Sequence, residues 1–364
     1  MTKPKLLLLG KLPPPYMGPS IATEIILKSG LKEHFWITHL DTKINHKISS
    51  FGTWSFGKIF RNFSIYFKMV GLVRKVKPDI VLVPISQTTT GFFKDSLFIL
   101  IARLFGKKVV LQLRGSNFKT WINSSSFLNK WYVKYILRKT QGIIVLGNNL
   151  KYLFKDYYTE DKIFVVPNGG DYTFPEKKGS EELKILYLSN LLASKGIEDV
   201  FKAIEIVSKK TDVKFSVDVI GEWHNEEDKK KCLLIKESNN LPINVHSSKG
   251  AEKFQYLANA DIFVFPPREP EGHPWSIVEA MAAGLPIIST DMGAIVESVI
   301  DRQNGFIVEP KHPEQIAEKL GLLLKNKELR KTMGQAGRKL YLANFTETKM
   351  VEKLTYTFNN IIKN

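Results

Sequence analysis

The chain carries a single cysteine, Cys232, among 364 residues. That excludes an intrachain disulfide, weighs against a cysteine-built metal site and suits a cytoplasmic home. A lone thiol of this kind reads as a small core residue ahead of a nucleophile. Long apolar runs are missing as well: no window holds the ~18 consecutive apolar residues of a membrane-spanning helix. The longest candidate, "SLFILIARLFG", is broken by Arg103. The four leucines of "MTKPKLLLLG" are too few for the apolar core of a signal sequence, and read as a buried first strand. Internal repeats and low-complexity tracts are absent, which leaves no place for a solenoid or a fibre. Acidic residues are scarce in one half only. Residues 1–175 hold 26 Lys and Arg against 9 Asp and Glu, whereas residues 176–364 hold 27 of each. The whole net charge of +17 therefore belongs to the first half. Such polarity implies an anionic partner for one domain only.

What is present is an ordinary soluble composition, 43% hydrophobic and 24% charged, in a chain too long for one core. Short Val/Ile/Leu-rich runs alternate with longer amphipathic segments, the pattern of βα units around parallel sheets. The first half offers "KLLLLG", "FWITHL", "DIVLVPI", "KVVLQLRG", "GIIVLG" and "KIFVVPNG"; the second offers "LKILYLSN", "KFSVDVIG", "INVHSS", "DIFVFPP", "LPIIST" and "GFIVEP". Between them, "KGIEDVFKAIEIVSKK" and "PEQIAEKLGLLLKN" space apolar residues three and four apart, as helices do. The break falls in "PNGGDYTFPEKKGSEE", Pro167 to Glu182, rich in Gly, Pro and charge. We expect domains over 1–170 and 171–345, followed by a helical tail over 346–364. Two such domains face each other across a cleft, and ligands of open α/β sheets bind beyond the carboxyl ends of the strands.

Four loops stand at such ends. In "DIFVFPPREPEGHPWSIVEAMAAGLPIIST", Ser276 and Glu279 have the spacing of a helix capping box, which explains the second glutamate without any ligand. It leaves Glu271, Gly272 and an exposed "HPW" unexplained. A helix start aims backbone N–H groups and a positive dipole end at an incoming phosphate, and a carboxylate there accepts from adjacent ribose hydroxyls. The second loop is "LSNLLASKGIEDV": Lys195 suits a diphosphate, with Gly196 permitting close backbone approach, or is a solvated surface lysine. In the third, "GKLPPPYMGPSIATE", Gly18 and Pro19 lead into a helix from Ser20, without a dinucleotide glycine fingerprint or a P-loop. In the fourth, "LQLRGSNF", Arg114 ends an apolar strand and either meets an acidic neighbour or binds ligand.

Together these loops resemble the retaining glycosyltransferases of GT-B fold, glycosyltransferase family 4. The most specific piece is Glu271-x7-Glu279 within "EGHPWSIVEAMAAGLPIISTDMGAIVE"; "SKGIEDVFKAI", "VIGE", "VVPNGGD" and "NGFIVEP" match by type and order. The resemblance implies two Rossmann-like parallel-sheet domains facing across a cleft, with the C-terminal helix returning to the N-terminal domain. It implies that Glu279 holds the donor's ribose, and that Glu271 with the loop backbone of Gly272, His273, Pro274 and Trp275 holds the transferred sugar. Lys195 then stabilises the departing diphosphate, and Gly18 approaches it from the first domain. Ser276, Gly221, Ser189 and Asn190 fall at donor-binding positions too. Relatives often carry Gly-Arg where Ser189–Asn190 stands, and His-Gly where Arg114–Gly115 stands; Arg114 is the candidate to supply the missing positive charge.

No two aspartates lie two positions apart, so the metal-holding D-x-D pair of the other glycosyltransferase architecture is absent, and we expect no metal and no cofactor beyond the nucleotide sugar. The basic half interleaves aromatics with cations over Phe51–Asp79 (Lys58, Arg61, Lys68, Arg74, Lys75, Lys77) and over Asn117–Lys139 (Trp121, Trp131, Tyr132, Tyr135). Some of these rings form core; the surplus suits an anionic lipid surface and a lipid-linked or glycan acceptor at the inner membrane face. Nucleic acid is the alternative anion, but no RNA- or DNA-reading motif appears and the uncharged second half has no role in that account. A sugar-nucleotide epimerase on the same fold is the nearer rival, and the Glu-x7-Glu context fits transfer better.

Overall fold

The computed structural model describes residues 2–14, 16–43, 56–247 and 250–363. Phe51–Ser55 of the first basic aromatic stretch, the side chains of Lys58 and Arg61, and Ser248 of the expected strand "INVHSS" lie outside the described residues. The chain divides into two compact units, Met1–Pro167 with Glu347–Asn364, and Asn168–Thr346.

The first unit contains β1 (Lys5–Gly10), β2 (Trp36–Asp41), β3 (Ile80–Ile85), β4 (Lys108–Leu113), β5 (Gly142–Val145) and β6 (Ile163–Val165). They form one six-stranded sheet of order β2-β1-β3-β4-β5-β6, paired in parallel. Helices α1 (Gly18–Lys28), α2 (Leu31–His34), α3 (Phe56–Val76), α4 (Thr89–Leu104), α5 (Phe118–Ser124) and α6 (Phe127–Leu137) connect them. The continuous apolarity read in these strands reflects burial on both faces: Leu6, Leu7, Val81, Val109, Val110 and Ile144 are all fully enclosed.

The second unit repeats the scheme with β7 (Leu183–Leu188), β8 (Phe215–Ile220), β9 (Ile243–His246), β10 (Ile262–Phe265), β11 (Ile287–Thr290) and β12 (Gly305–Val308). Their order is β12-β11-β10-β7-β8-β9, again parallel. Its helices are α7 (Ile197–Ser208), α8 (Glu226–Ser238), α9 (Lys253–Asn259), α10 (Trp275–Ala282), α11 (Pro313–Lys325) and α12 (Lys327–Asn344). In α7 the buried Ile197, Val200, Phe201, Ile204 and Val207 form one stripe at three- and four-residue spacing.

The tail helix α13 (Glu347–Lys363) belongs to the first unit. Its buried stripe Met350, Val351, Leu354, Phe358 and Ile361 packs with Leu6, Leu8, Ile80 and Leu82 of that unit's sheet. Phe358 meets Phe35 edge-on, with ring centroids 5.5 Å apart. Polar contacts fix both ends. Gly30 N–H donates to Glu347 Oε1 at 3.0 Å, and Lys108 Nζ donates to the Ile361 and Ile362 carbonyls at 3.0 and 2.8 Å. An ammonium on a helix's last carbonyls satisfies acceptors that have no intrahelical partner and opposes the dipole's negative end.

Candidate functional site

The two glutamates that opened the functional question lie on the loop and helix that follow β10. Each is paired with a lysine. Lys195, at the end of the short turn Ala193–Lys195, makes an ion pair with Glu271 Oε1; their side chains are 26% and 15% exposed. Lys253, the first residue of α9, holds Glu279 Oε1 at 2.6 Å, and the Glu279 side chain is 3% exposed. Burial pushes both carboxyl pKa values up, and in each case the paired ammonium pulls against that shift. The result is two partly dehydrated carboxylate–ammonium pairs at the carboxyl ends of one parallel sheet.

Several contacts fix the loop that carries Glu271. Thr290 Oγ1 donates to the Pro267 carbonyl at 2.8 Å and Ser289 Oγ to the Phe265 carbonyl at 2.5 Å. Arg268 forks onto Asp199, with Nε–Oδ2 at 2.6 Å and Nη2–Oδ1 at 2.5 Å, and also touches Glu198 at 3.3 Å. Its backbone N–H donates to the carbonyl of Ser194, the residue before Lys195, at 2.9 Å. Arg268 thus ties the Glu271 loop to the first turn of α7 and to the Lys195 turn. Two glycines complete the packing. Gly196 has φ +75°, and a Cβ there would lie 1.9 Å from the Pro266 carbonyl oxygen; Gly293 has φ +61°, and a Cβ would lie 1.5 Å from the Glu271 carbonyl oxygen. No side chain fits either place. The freedom that Gly196 supplies is spent on this backbone contact, not only on approach to a ligand as its sequence context suggests.

Three sequence expectations change. The Ser276–Glu279 capping box does not form. Helix α10 begins at Trp275 with Pro274 as its N-cap and no side-chain cap, so Ser276 already lies inside the first turn. The Glu279 carboxylate finds the Lys253 ammonium instead, a charge-assisted bond stronger than one to a neutral amide. The "HPW" segment is not exposed: His273 is 4% and Trp275 7% accessible. The His273 ring is committed to structure. Its Nδ1 accepts the Asn168 backbone N–H at 3.0 Å, so Nε2 carries the proton and donates to Ser298 Oγ at 2.6 Å. Asn168 Nδ2 also donates to the His273 carbonyl at 2.6 Å. The imidazole is therefore a strut for the loop, not a group for contacting a sugar. Finally, α1 begins at Gly18, two residues ahead of Ser20, because Pro19 is pre-shaped for a first turn.

Other candidate positions are placed as follows. Ser189 and Gly221 follow β7 and β8 and pack on each other; a Cβ on Gly221 would lie 1.9 Å from the Ser189 carbonyl oxygen. Asn190 is half-buried beside them. Arg114, in the first unit, follows β4 and donates from Nη2 to Gln112 Oε1 at 2.9 Å, a neutral acceptor. Burial lowers its pKa to about 9, which still leaves a cation at neutral pH.

Sequence reading passed over Lys253 and Arg268. For Arg268 there was a signal: the acidic pair Glu198–Asp199 at a helix start and an arginine directly after a double proline. For Lys253 there was none, since nothing local links "GAEKFQY" to a carboxylate 26 positions on.

Its family makes the chain a glycosyltransferase. The chain belongs to glycosyltransferase family 4, of GT-B fold: residues 31–174 match the model described as Glycosyltransferase Family 4, and residues 171–340 match Glycosyl transferases group 1. Among its relatives, the capsular polysaccharide biosynthesis glycosyltransferase CapM of Staphylococcus aureus is 27% identical over 330 residues, 84% of this chain and 83% of that one. The N,N'-diacetylbacillosaminyl-diphospho-undecaprenol alpha-1,3-N-acetylgalactosaminyltransferase of Campylobacter jejuni is 23% identical over 180 residues, 50% of this chain and 45% of that one. Among solved structures, a glycosyltransferase of Rickettsia africae superposes with a TM-score of 0.76 at 19% identity over 100% of both chains. Anabaena HepE, crystallised with UDP and glucose, gives 0.75 at 15% identity over 98% of this chain and 99% of that one.

Proposed function

We propose that the protein is a retaining glycosyltransferase that moves a sugar from a UDP- or GDP-sugar to a lipid-linked or polysaccharide acceptor, without a metal ion. The observation that carries this reading is the pair of lysine–carboxylate contacts at the strand ends of the second unit. Glu279 accepts from the ribose hydroxyls, and Glu271 from hydroxyls of the transferred sugar, with the backbone of Gly272 to Trp275 beside it. Lys195 is the cation for the diphosphate. In the reaction the C1–O bond to the β-phosphate breaks, its electron pair leaving with the phosphate oxygen. The acceptor oxygen bonds to C1 from the same face, and its proton passes to the departing phosphate. Negative charge grows on the diphosphate as this proceeds, so a fixed ammonium there acts mainly on the transition state.

The HepE complex supports a nucleotide-sugar donor, and the names of the relatives support an acceptor in surface-glycan assembly. The first unit, which carries the excess charge, is proposed to take the acceptor and to meet anionic lipid at the cytoplasmic membrane face. On α6, Phe127, Leu128 and Trp131 are 79%, 74% and 59% exposed, and Trp131 stacks on Tyr135 at 5.7 Å with Lys139 over the Tyr135 ring. Among the described residues no helix is long and apolar enough to cross a membrane. The test is transfer from a panel of UDP- and GDP-sugars to a polyprenyl-diphosphate saccharide, with the product's anomeric configuration read by NMR. Retention, with undiminished turnover in EDTA, is expected. Inversion, or turnover that stops in EDTA and returns with manganese, contradicts the reading.

A further inference from the structure

A diphosphate is drawn by positive charge. Yet Lys195, Lys253 and Arg268 each already face a carboxylate: Lys195 pairs with Glu271, Lys253 with Glu279, and Arg268 with Asp199 and Glu198. Glu279 and Asp199 are almost fully enclosed, whereas the Lys195–Glu271 pair keeps exposed surface on both partners. A ligand can reach that pair. The backbone on either side of it is pinned. The Tyr187 hydroxyl donates to the Lys195 carbonyl at 3.1 Å, and the Ala294 N–H donates to the Gly272 carbonyl at 2.9 Å. Arg268, bonded to the Ser194 carbonyl by its own N–H, joins the two segments. A change at this pair is therefore an exchange of side-chain partners, not a movement of loops.

An ammonium only donates and a carboxylate only accepts, so Lys195 and Glu271 satisfy each other. The carboxylate cancels the charge that a diphosphate seeks, and it repels an anion brought up beside it. A sugar alters this balance. Its hydroxyls donate to the Glu271 oxygens and replace the bond that Lys195 gave, and hydrogen bonds to a charged group are among the stronger ones. The ammonium then turns to the phosphate oxygens without leaving Glu271 unsatisfied. We propose that Glu271 is a specificity-determining residue: it withholds Lys195 from a nucleoside diphosphate that carries no sugar and yields it to one that does. Once the sugar has been transferred, Glu271 recovers Lys195 and the spent nucleotide is released. This rests on the donor reading given above, since it places a diphosphate at Lys195.

The experiment is calorimetric binding of UDP, GDP, UDP-glucose, UDP-N-acetylglucosamine and GDP-mannose to wild type, Glu271→Gln, Glu271→Ala and the double variant Lys195→Ala/Glu271→Gln. Both single variants are expected to bind the free nucleoside diphosphate about tenfold more tightly than wild type, because the ammonium is released to it. They are expected to gain nothing for the sugar nucleotide that wild type binds best. A merely structural role for Glu271 predicts weaker binding of both ligands, so the sign of the change separates the two. The double variant, which removes both charges together, should return to within about threefold of wild type for the free diphosphate. No gain for the free diphosphate in either single variant, an equal gain for the sugar nucleotide, or a gain that survives loss of Lys195 overturns the proposal. Failure of wild type to bind either UDP or GDP overturns the donor reading, and this proposal with it.

Discussion

The two units share a plan, six parallel strands with helices on both faces, yet their surfaces differ. The first spends charge outwardly: an excess of lysine and arginine beside exposed rings on α6. The second is close to neutral and spends charge inwardly, in partly buried pairs such as Lys195–Glu271, Lys253–Glu279 and Arg268–Asp199. Burying an ion pair offers little net stability, because desolvation offsets the attraction. Of these three, Arg268–Asp199 ties the Glu271 loop to α7, and the other two are the pairs on which the proposed donor site is built. An exposed cation surface contributes long-range, salt-sensitive attraction instead. One layout thus carries two dispositions of charge.

The largest effect expected from breaking this contrast is on folding. Phe358→Ala removes the aromatic that α13 sets against Phe35 in the first unit, and should cost about 3–5 kcal/mol in urea unfolding, whereas a surface change such as Tyr356→Ala should cost little. On the catalytic side, Lys195→Ala should lower kcat by roughly a hundredfold, ~3 kcal/mol, with a smaller change in donor affinity. A loss of donor affinity with kcat unchanged would instead assign Lys195 to ground-state binding.

A pH titration sharpens the inward half of the comparison. Burial raises the carboxyl pKa values of Glu271 and Glu279 against opposition from their lysines. Donor binding needs the ionised forms, so affinity should fall with acid at a pH above the ordinary carboxylate value of about 4.3. The stability contribution has the opposite sign. A carboxyl whose folded pKa is raised contributes fully below its unfolded pKa and loses that contribution as pH rises through the folded value. Binding and stability from these two groups should therefore move in opposite directions across mild acid, and Glu271→Gln should flatten part of both profiles. The smallest effect concerns the outward half. Lys134→Glu with Lys139→Glu should weaken co-sedimentation with anionic vesicles severalfold at low salt and leave neutral vesicles unaffected. Equal recovery on both vesicle types would count against the lipid surface.

The strands were legible because a strand covered on both faces must be apolar throughout, and the twelve runs read as strands correspond to β1–β12. The glutamate pair and Lys195 were legible because their spacing belongs to a recognisable family pattern. What escaped was long-range. Whether Glu279 caps its own helix or meets an ammonium depends on where α9 lands, which the residues around Glu279 do not encode. The same holds for His273, whose polarity suggested a surface and whose ring is satisfied by Asn168 and Ser298 from distant parts of the chain.

The position of α13 has a further consequence. Residues 168–346 make up the whole of the second unit, so on the ribosome it can close as soon as it has emerged. The first unit, though translated earlier, must wait: the face of its sheet that Ile26, Leu31 and Phe35 cover in part is completed only when residues 347–363 arrive. The half that emerges first is the half that matures last, and during that interval the apolar positions that α13 will cover, Leu6, Leu8, Ile80 and Leu82 among them, lack part of their packing.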